Sequence, residues 1–125
     1  MAIRLLLVED NEVYRSSLEL LLGLQPDLEV VGAVGSGDEA ADAASCASAD
    51  VVLMDYRLPG IDGAAATRAV IASSGAAVVC LTAEATGAER DEVIRAGAVG
   101  LVEKGVPIEA LASAIREAAS PRDAG

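Results

Sequence analysis

Ile3-Arg4-Leu5-Leu6-Leu7-Val8, followed at once by Glu9-Asp10, is the stretch from which the fold is read. A nearly unbroken apolar run of this length suits a strand covered on both faces, as in a parallel sheet. Three more runs repeat the design. Val51-Val52-Leu53-Met54 ends in Asp55, Ala77-Val78-Val79-Cys80-Leu81 ends in Thr82, and Gly100-Leu101-Val102 leads through Glu103 to Lys104. As parallel strands, they gather three carboxylates, a hydroxyl and an ammonium at one edge of one sheet. That set suits binding a divalent cation and accepting a phosphoryl group.

Helical patterns fill the spaces between the runs. Residues Asn11 to Leu24 carry Val13, Leu18, Leu21 and Leu22 as an apolar stripe that stops near Gly23 and Pro26. Leu28–Val34 reads as a further strand. Ser36-Gly37-Asp38-Glu39 has the spacing of a capping box and opens a helix through Cys46. Pro59-Gly60 and Asp62-Gly63 mark a turn-rich loop, in which Asp62 reads as a turn or cap residue, before a helix from Ala64 to about Ser73. A helix over Ala88–Ala96 follows, and Pro107 suits the first turn of a last helix with Ile108, Leu111 and Ile115 on one face. Five βα units predict an α/β fold: a parallel sheet with right-handed crossovers and helices on both faces. Ligands bind such sheets beyond the carboxyl ends of the strands, at the topological switch point. One domain is expected over residues 1–119, with 120–125 as a tail or the start of a linker.

Composition narrows the function. The chain has 125 residues and a net charge of −11, which argues against direct contact with nucleic acid or an anionic membrane. It has no histidine, so histidine-based catalysis is excluded, and its two cysteines, Cys46 and Cys80, fit neither a disulfide framework nor a zinc site. No run approaches the ~18 apolar residues of a membrane span, and the first apolar run meets acid where a signal peptide needs a cleavage site, so a cytoplasmic location is expected. Lys104 is the only lysine beside eight arginines. The arginine excess and the 26 alanines fit a GC-rich genome, so the position of Lys104 carries more weight than its rarity.

Glu9, Asp10 and Asp55 repel one another unless a cation neutralises them. All offer hard oxygens, which favours Mg²⁺. An aspartate can also attack phosphorus to give an aspartyl phosphate, a transfer that needs charge neutralisation and alignment more than a base. Each residue also has a plain structural role open to it. Asp10 or Asn11 can cap the first helix, Thr82 can be an ordinary strand residue, and Lys104 can be a solvated charge. It is their joint order on the strand ends that favours chemistry.

These residues resemble the pattern of response-regulator receiver domains, the phosphoacceptor half of bacterial two-component systems, over about residues 3 to 118. The resemblance implies a flavodoxin-like, CheY-like (βα)5 sandwich with sheet order 2-1-3-4-5. It implies that Asp55 in Val-Val-Leu-Met-Asp-Tyr-Arg-Leu-Pro-Gly is the phosphorylated aspartate. Asp10 is then a direct Mg²⁺ ligand with Glu9 helping through water, and the Arg57 carbonyl is a further ligand. Thr82 is the hydroxyl that turns to the phosphoryl group, the Ala83 amide donates to it, and Lys104 pairs with it. Ala-Val-Gly-Ser-Gly-Asp-Glu-Ala and Ala-Gly-Ala-Val-Gly-Leu-Val-Glu-Lys are similar to the NarL/FixJ subfamily, whose members usually carry a C-terminal LuxR-type helix-turn-helix.

Two positions depart from that pattern. Leu101 stands where the family often has a switching Tyr or Phe, and Gly105 stands where many members have Pro. The implied function is a phosphorylation switch served by a sensor histidine kinase, dimerising on phosphorylation and reaching DNA only through an output domain absent from this chain. A stand-alone receiver acting as adaptor or phosphate shuttle is the alternative within the class. A Mg²⁺-dependent phosphatase is the alternative outside it; haloacid-dehalogenase-like phosphatases need an acid two residues after the nucleophile, where this chain has Arg57. Arg57 and Glu84, two residues beyond Asp55 and Thr82, are expected to flank the mouth of the site and to set the lifetime of the phosphoryl group as a partly exposed pair; the alternative is two independent solvated charges.

Overall fold

Parallel pairing joins five strands in the order β2-β1-β3-β4-β5 in the computed structural model, which describes residues 2–120. The strands are β1 (Ile3–Val8), β2 (Leu28–Val34), β3 (Val51–Asp55), β4 (Ala77–Thr82) and β5 (Gly100–Glu103). They alternate with α1 (Glu12–Gly23), α2 (Gly37–Ala47), α3 (Gly63–Ser74), α4 (Gly87–Arg95) and α5 (Ile108–Ala119). The sequence-based fold class and strand order hold. The last five residues of the expected tail lie outside the described residues.

The strand side chains divide the interior by the two-residue period of a strand. Leu5, Leu7, Val51, Leu53, Val79 and Leu81 face α1 and α5, whose Leu18, Leu22, Leu111 and Ile115 cover them. Leu6, Val8, Val52, Met54, Val78 and Cys80 face the other layer, where Ala40, Ala44, Ala66, Val70 and Val93 come from α2, α3 and α4. Burial of both faces explains why the central strands read as unbroken apolar runs. It also pushes the Cys80 thiol up to about 11, since a thiolate there has no water.

Local details depart from the sequence reading in three places. Val13 and Leu21 of the expected α1 stripe are exposed, and only Leu18 and Leu22 of the four are buried. The stripe is therefore narrower than the run of leucines suggests. Ser36 is the N-cap of α2, but its hydroxyl donates to the Glu39 carboxylate (2.9 Å) instead of accepting a backbone amide, so the reciprocal capping box does not form. Pro107 stands at the N-cap of α5, one residue ahead of the helix. Asp62, read as a turn or cap residue, does cap α3 by accepting from the Ala65 amide at 2.9 Å.

Two glycines shape the active edge. A Cβ at Gly63 would stand 2.8 Å from the carbonyls of Asp55 and Tyr56, so only glycine lets α3 begin this close to the end of β3. Gly105 takes φ +98°, a backbone state that L side chains rarely adopt, directly after Lys104. No helix among the described residues is long and apolar enough to cross a membrane.

Candidate functional site

The carboxyl ends of β1 and β3, neighbours at the centre of the sheet, bring Glu9, Asp10 and Asp55 together. One oxygen from each lies within 4.8 Å of the others. Glu9 and Asp55 are 2% and 3% exposed, whereas Asp10 faces solvent. Asn11 settles which residue caps α1: its side chain accepts from the Tyr14 amide at 2.9 Å, which leaves Asp10 free for other work. The Asn11 amide in turn donates to Glu9 Oε2 at 3.0 Å, and Arg15 Nη1 holds the Glu9 carbonyl at 2.7 Å.

Lys104, placed by the end of β5, sends its ammonium between the two buried acids. Nζ lies 3.0 Å from Glu9 Oε1 and 3.2 Å from Asp55 Oδ2. It also sits 4.9 Å from the centre of the Tyr14 ring. Burial pulls the lysine pKa down, yet the close contact and charge of Glu9 and the charge of Asp55 together outweigh it, and the pKa is raised. Burial similarly raises the Tyr14 phenol, against the Lys104 charge and with help from Glu9 and Asp55. Lys104 is thus firmly protonated, a compact cation fixed beside Asp55.

One ammonium facing three carboxylates leaves the cluster short of positive charge. Glu9 Oε1 shows the shortfall directly. It is fully buried and has no aligned hydrogen-bond donor, so its contact with Lys104 is an ion pair alone. A buried acceptor of this kind is costly without a partner. Three hard carboxylate oxygens, one residue open to water, fit a Mg²⁺ ion with solvent in its remaining positions. Glu9, Asp10 and Asp55 form the acidic ligand set of a Mg²⁺ site.

Asp55 itself is held at both oxygens. Oδ1 accepts from the Arg57 amide at 3.2 Å and Oδ2 from Lys104. The Tyr56 amide donates to the Leu81 carbonyl at 2.7 Å, and the Lys104 amide to the Thr82 carbonyl at 2.7 Å, so the loops leaving β3 and β5 are tied to β4. Thr82 is 1% exposed, and the next residue, Ala83, faces solvent. Leu101 is buried in the layer under α4, with Val93 in the same cluster.

The expected pair of Arg57 with Glu84 does not form. Arg57 Nη2 lies 3.6 Å from Glu89 Oε2. Glu84 sits in the exposed loop before α4 and offers its backbone carbonyl to Thr82 at 3.3 Å. The first turn of α4 carries Glu89 inward, where Oε1 accepts from the Thr82 hydroxyl at 2.7 Å. One turn on, Glu92 accepts from the Tyr56 hydroxyl, a bond that pushes the phenol up to about 12. Glu89, Glu92, Tyr14 and Arg15 were not singled out from the sequence. Glu89 had a signal: it follows Thr86 with capping-box spacing and lies seven residues beyond Thr82.

Comparison with known proteins agrees with this geometry. The family model of the response regulator receiver domain matches residues 5–116. The transcriptional regulatory protein LiaR of Bacillus subtilis is 37% identical over 117 residues, covering 93% of this chain and 56% of its own length. The response regulator UvrY of Escherichia coli K12 is 35% identical over 115 residues, 91% of this chain and 53% of its own. The chain thus spans about half the length of these relatives. Among solved structures, the signal receiver domain of the response regulator NarL from Mycobacterium tuberculosis superposes with a TM-score of 0.91 at 27% identity, covering 97% of this chain and 98% of that one. The receiver domain of the sensor histidine kinase PA1611 from Pseudomonas aeruginosa, with a magnesium ion coordinated in its active site cleft, gives 0.83 at 30% identity, covering 97% and 100%.

Proposed function

The chain belongs to the response-regulator receiver domain family, and on that premise we propose that it accepts a phosphoryl group on Asp55 from a histidine kinase and switches a C-terminal DNA-binding output. The observation that carries the acceptor assignment is Asp55 itself. It is the buried carboxylate at the end of the central strand, with Lys104 in aligned contact with one oxygen and the acidic cluster at its side.

The transfer balances simply. An Asp55 oxygen attacks phosphorus as the P–N bond of the kinase's phosphohistidine breaks, and the imidazole leaves with the electron pair and is protonated by water. Lys104 stands beside the acceptor to neutralise charge that builds on the phosphoryl oxygens. Asp10, Asp55 and the Arg57 carbonyl would hold Mg²⁺, with Glu9 helping through water, and the ion would supply the remaining positive charge. Thr82 and the Ala83 amide, next along β4 and its loop, donate to the new phosphoryl group. Chemistry thus begins and ends on the chain's own aspartate, with no external substrate turned over.

Leu101 gives the switch an aliphatic side chain in place of a ring, so packing under α4 sets the balance of resting and active states. Arg57 and Glu84 act separately on the lifetime of the phosphoryl group from the exposed rim. The relatives named as a transcriptional regulatory protein and a response regulator support an output beyond residue 119. A homodimer formed on phosphorylation, in the cytoplasm, completes the proposed switch.

Incubation with acetyl phosphate and Mg²⁺ should add one phosphoryl group, seen by mass. Asp55→Asn, or chelation of the metal, should abolish it. Undiminished labelling of Asp55→Asn would overturn the assignment.

A further inference from the structure

We infer that Glu89 is a positioning residue that latches the Thr82 hydroxyl away from Asp55 at rest, so that phosphorylation must unlatch α4. The inference rests on the proposed role of Thr82 as a phosphoryl ligand. Both Glu89 oxygens are engaged in tertiary contacts. Oε1 accepts from Thr82 Oγ1 at 2.7 Å, and Oε2 faces Arg57 Nη2 at 3.6 Å. Its side chain is only 12% exposed, unlike that of Arg57, which is 76% exposed.

Local chemistry offers this carboxylate a different role, and it is not taken. Thr86-Gly87-Ala88-Glu89 has capping-box spacing, and the first half of the box forms: the Thr86 hydroxyl accepts from the Glu89 amide at 3.1 Å. In the full motif the glutamate would turn back to the Thr86 amide. Here its oxygens go to Thr82 and Arg57 instead. One turn further along the same face, Glu92 holds the Tyr56 hydroxyl. The start of α4 is therefore tied by two acids to the end of β4 and to the loop just after Asp55.

A threonine hydroxyl has a single proton to donate. It can serve Glu89 or a phosphoryl group on Asp55, not both. When it turns to the phosphoryl group, Glu89 loses its donor while still largely buried, and a carboxylate in that state favours movement toward water. The first turn of α4 is the element that follows, since Glu89 and Glu92 are its side-chain ties to Thr82 and Tyr56, whereas the Thr86 cap holds only the turn itself. A single carboxylate thus links the chemical state of Asp55 to the position of a helix.

The test follows the Thr82 methyl group by ¹³C NMR, at rest and after reaction with acetyl phosphate and Mg²⁺. In wild type the resonance should shift on phosphorylation. In resting Glu89→Ala it should already move toward the phosphorylated position, as the site-facing population rises about tenfold on loss of a hydrogen bond to a charged group. Glu89→Asp, which keeps the charge and suits a helix start but is too short to reach, should behave like Glu89→Ala. Glu89→Gln keeps an acceptor and should remain at the wild-type resting position. Glu89→Ala should also raise the rate of labelling by acetyl phosphate, and in a Thr82→Val background it should leave that rate unchanged. Resting methyl positions unchanged in both Glu89→Ala and Glu89→Asp would overturn the latch, as would Glu89→Gln moving with them. If the wild-type methyl shifts on labelling and the variants do not, the latch alone falls. If the wild-type methyl is indifferent to phosphorylation of Asp55, the role of Thr82 falls and the latch with it.

Discussion

The two ends of the sheet use the same kinds of charged residue to opposite effect. At the amino end, Arg4 donates to the Ala47 carbonyl at 2.7 and 3.1 Å, and its amide donates to Asp50 at 2.9 Å. Beside it, Arg116 of α5 makes a two-pronged contact with Asp27 at 2.6 and 3.0 Å. The paired charges are 38–56% exposed, and Arg4 and Arg116 each have an acid within reach. At the carboxyl end, two acids are almost fully buried with one lysine between them, and a third stands close by. The amino end is an assembly of satisfied surface fasteners. The carboxyl end is left short of positive charge, which stabilises nothing by itself but prepares a site for a cation and a phosphoryl group. A fold that tolerates such a concentration of like charge does so where the substrate later resolves it.

Removing Lys104 should give the largest break in this contrast. Lys104→Met leaves Glu9 and Asp55 buried without their cation, a kind of change that costs about 3–5 kcal/mol in a fully buried pair. The lysine side chain is 28% exposed, so solvent screens part of this; about 2 kcal/mol is the expected loss in chelator. Added Mg²⁺ should recover more stability in this variant than in wild type, because the metal no longer competes with an ammonium. Urea unfolding in EDTA and in Mg²⁺ measures both. If the variant were as stable as wild type without metal, the carboxyl end would carry no charge deficit.

Arg4→Ala at the other end should cost less, about 1 kcal/mol, for a partly exposed donor whose carbonyl partner can turn to water. The decisive feature is its indifference to Mg²⁺: the loss should be the same in EDTA and in metal. A metal-dependent difference would mean that the two ends of the sheet are coupled.

The contrast also explains what could be read from the sequence. The carboxyl end was legible because strand ends announce themselves: an apolar run stops, and the residue that stops it is the one the fold presents. Asp55, Thr82 and the Glu9-Asp10 pair follow that rule. Glu89 does not, because it reaches Thr82 from the side, off a helix whose placement depends on the crossover from β4. The expected Arg57–Glu84 pair failed for the same reason: equal offsets from two strand ends say nothing of where α4 starts. The exposure of Val13 and Leu21 shows a further limit, since a leucine-rich helix carries more apolar residues than one buried stripe can hold. At the amino end, the Arg116–Asp27 contact joins residues far apart in the chain, and no local pattern marks either partner.

That contact gives the smallest expected effect and the cleanest sign. The Asp27 carboxyl lies below its usual range, chiefly because Arg116 hydrogen-bonds its charged form. A carboxyl whose pKa is depressed on folding adds stability above its unfolded pKa and loses that stability as pH falls through the lower folded value. Asp27→Asn keeps the shape of the side chain without its charge, so the stability difference between wild type and variant should be constant near neutrality. It should then shrink as acid is added below the carboxylate range. The pair is exposed, so salt should shrink it as well, whereas the Lys104 effect at the opposite end should resist screening. Denaturant midpoints of the two proteins, compared across acidic pH at low and high salt, test both statements. A difference that persists unchanged in strong acid would show that Asp27 contributes through packing and hydrogen-bond geometry alone, and that the amino end is not held by charge in the way its distances imply.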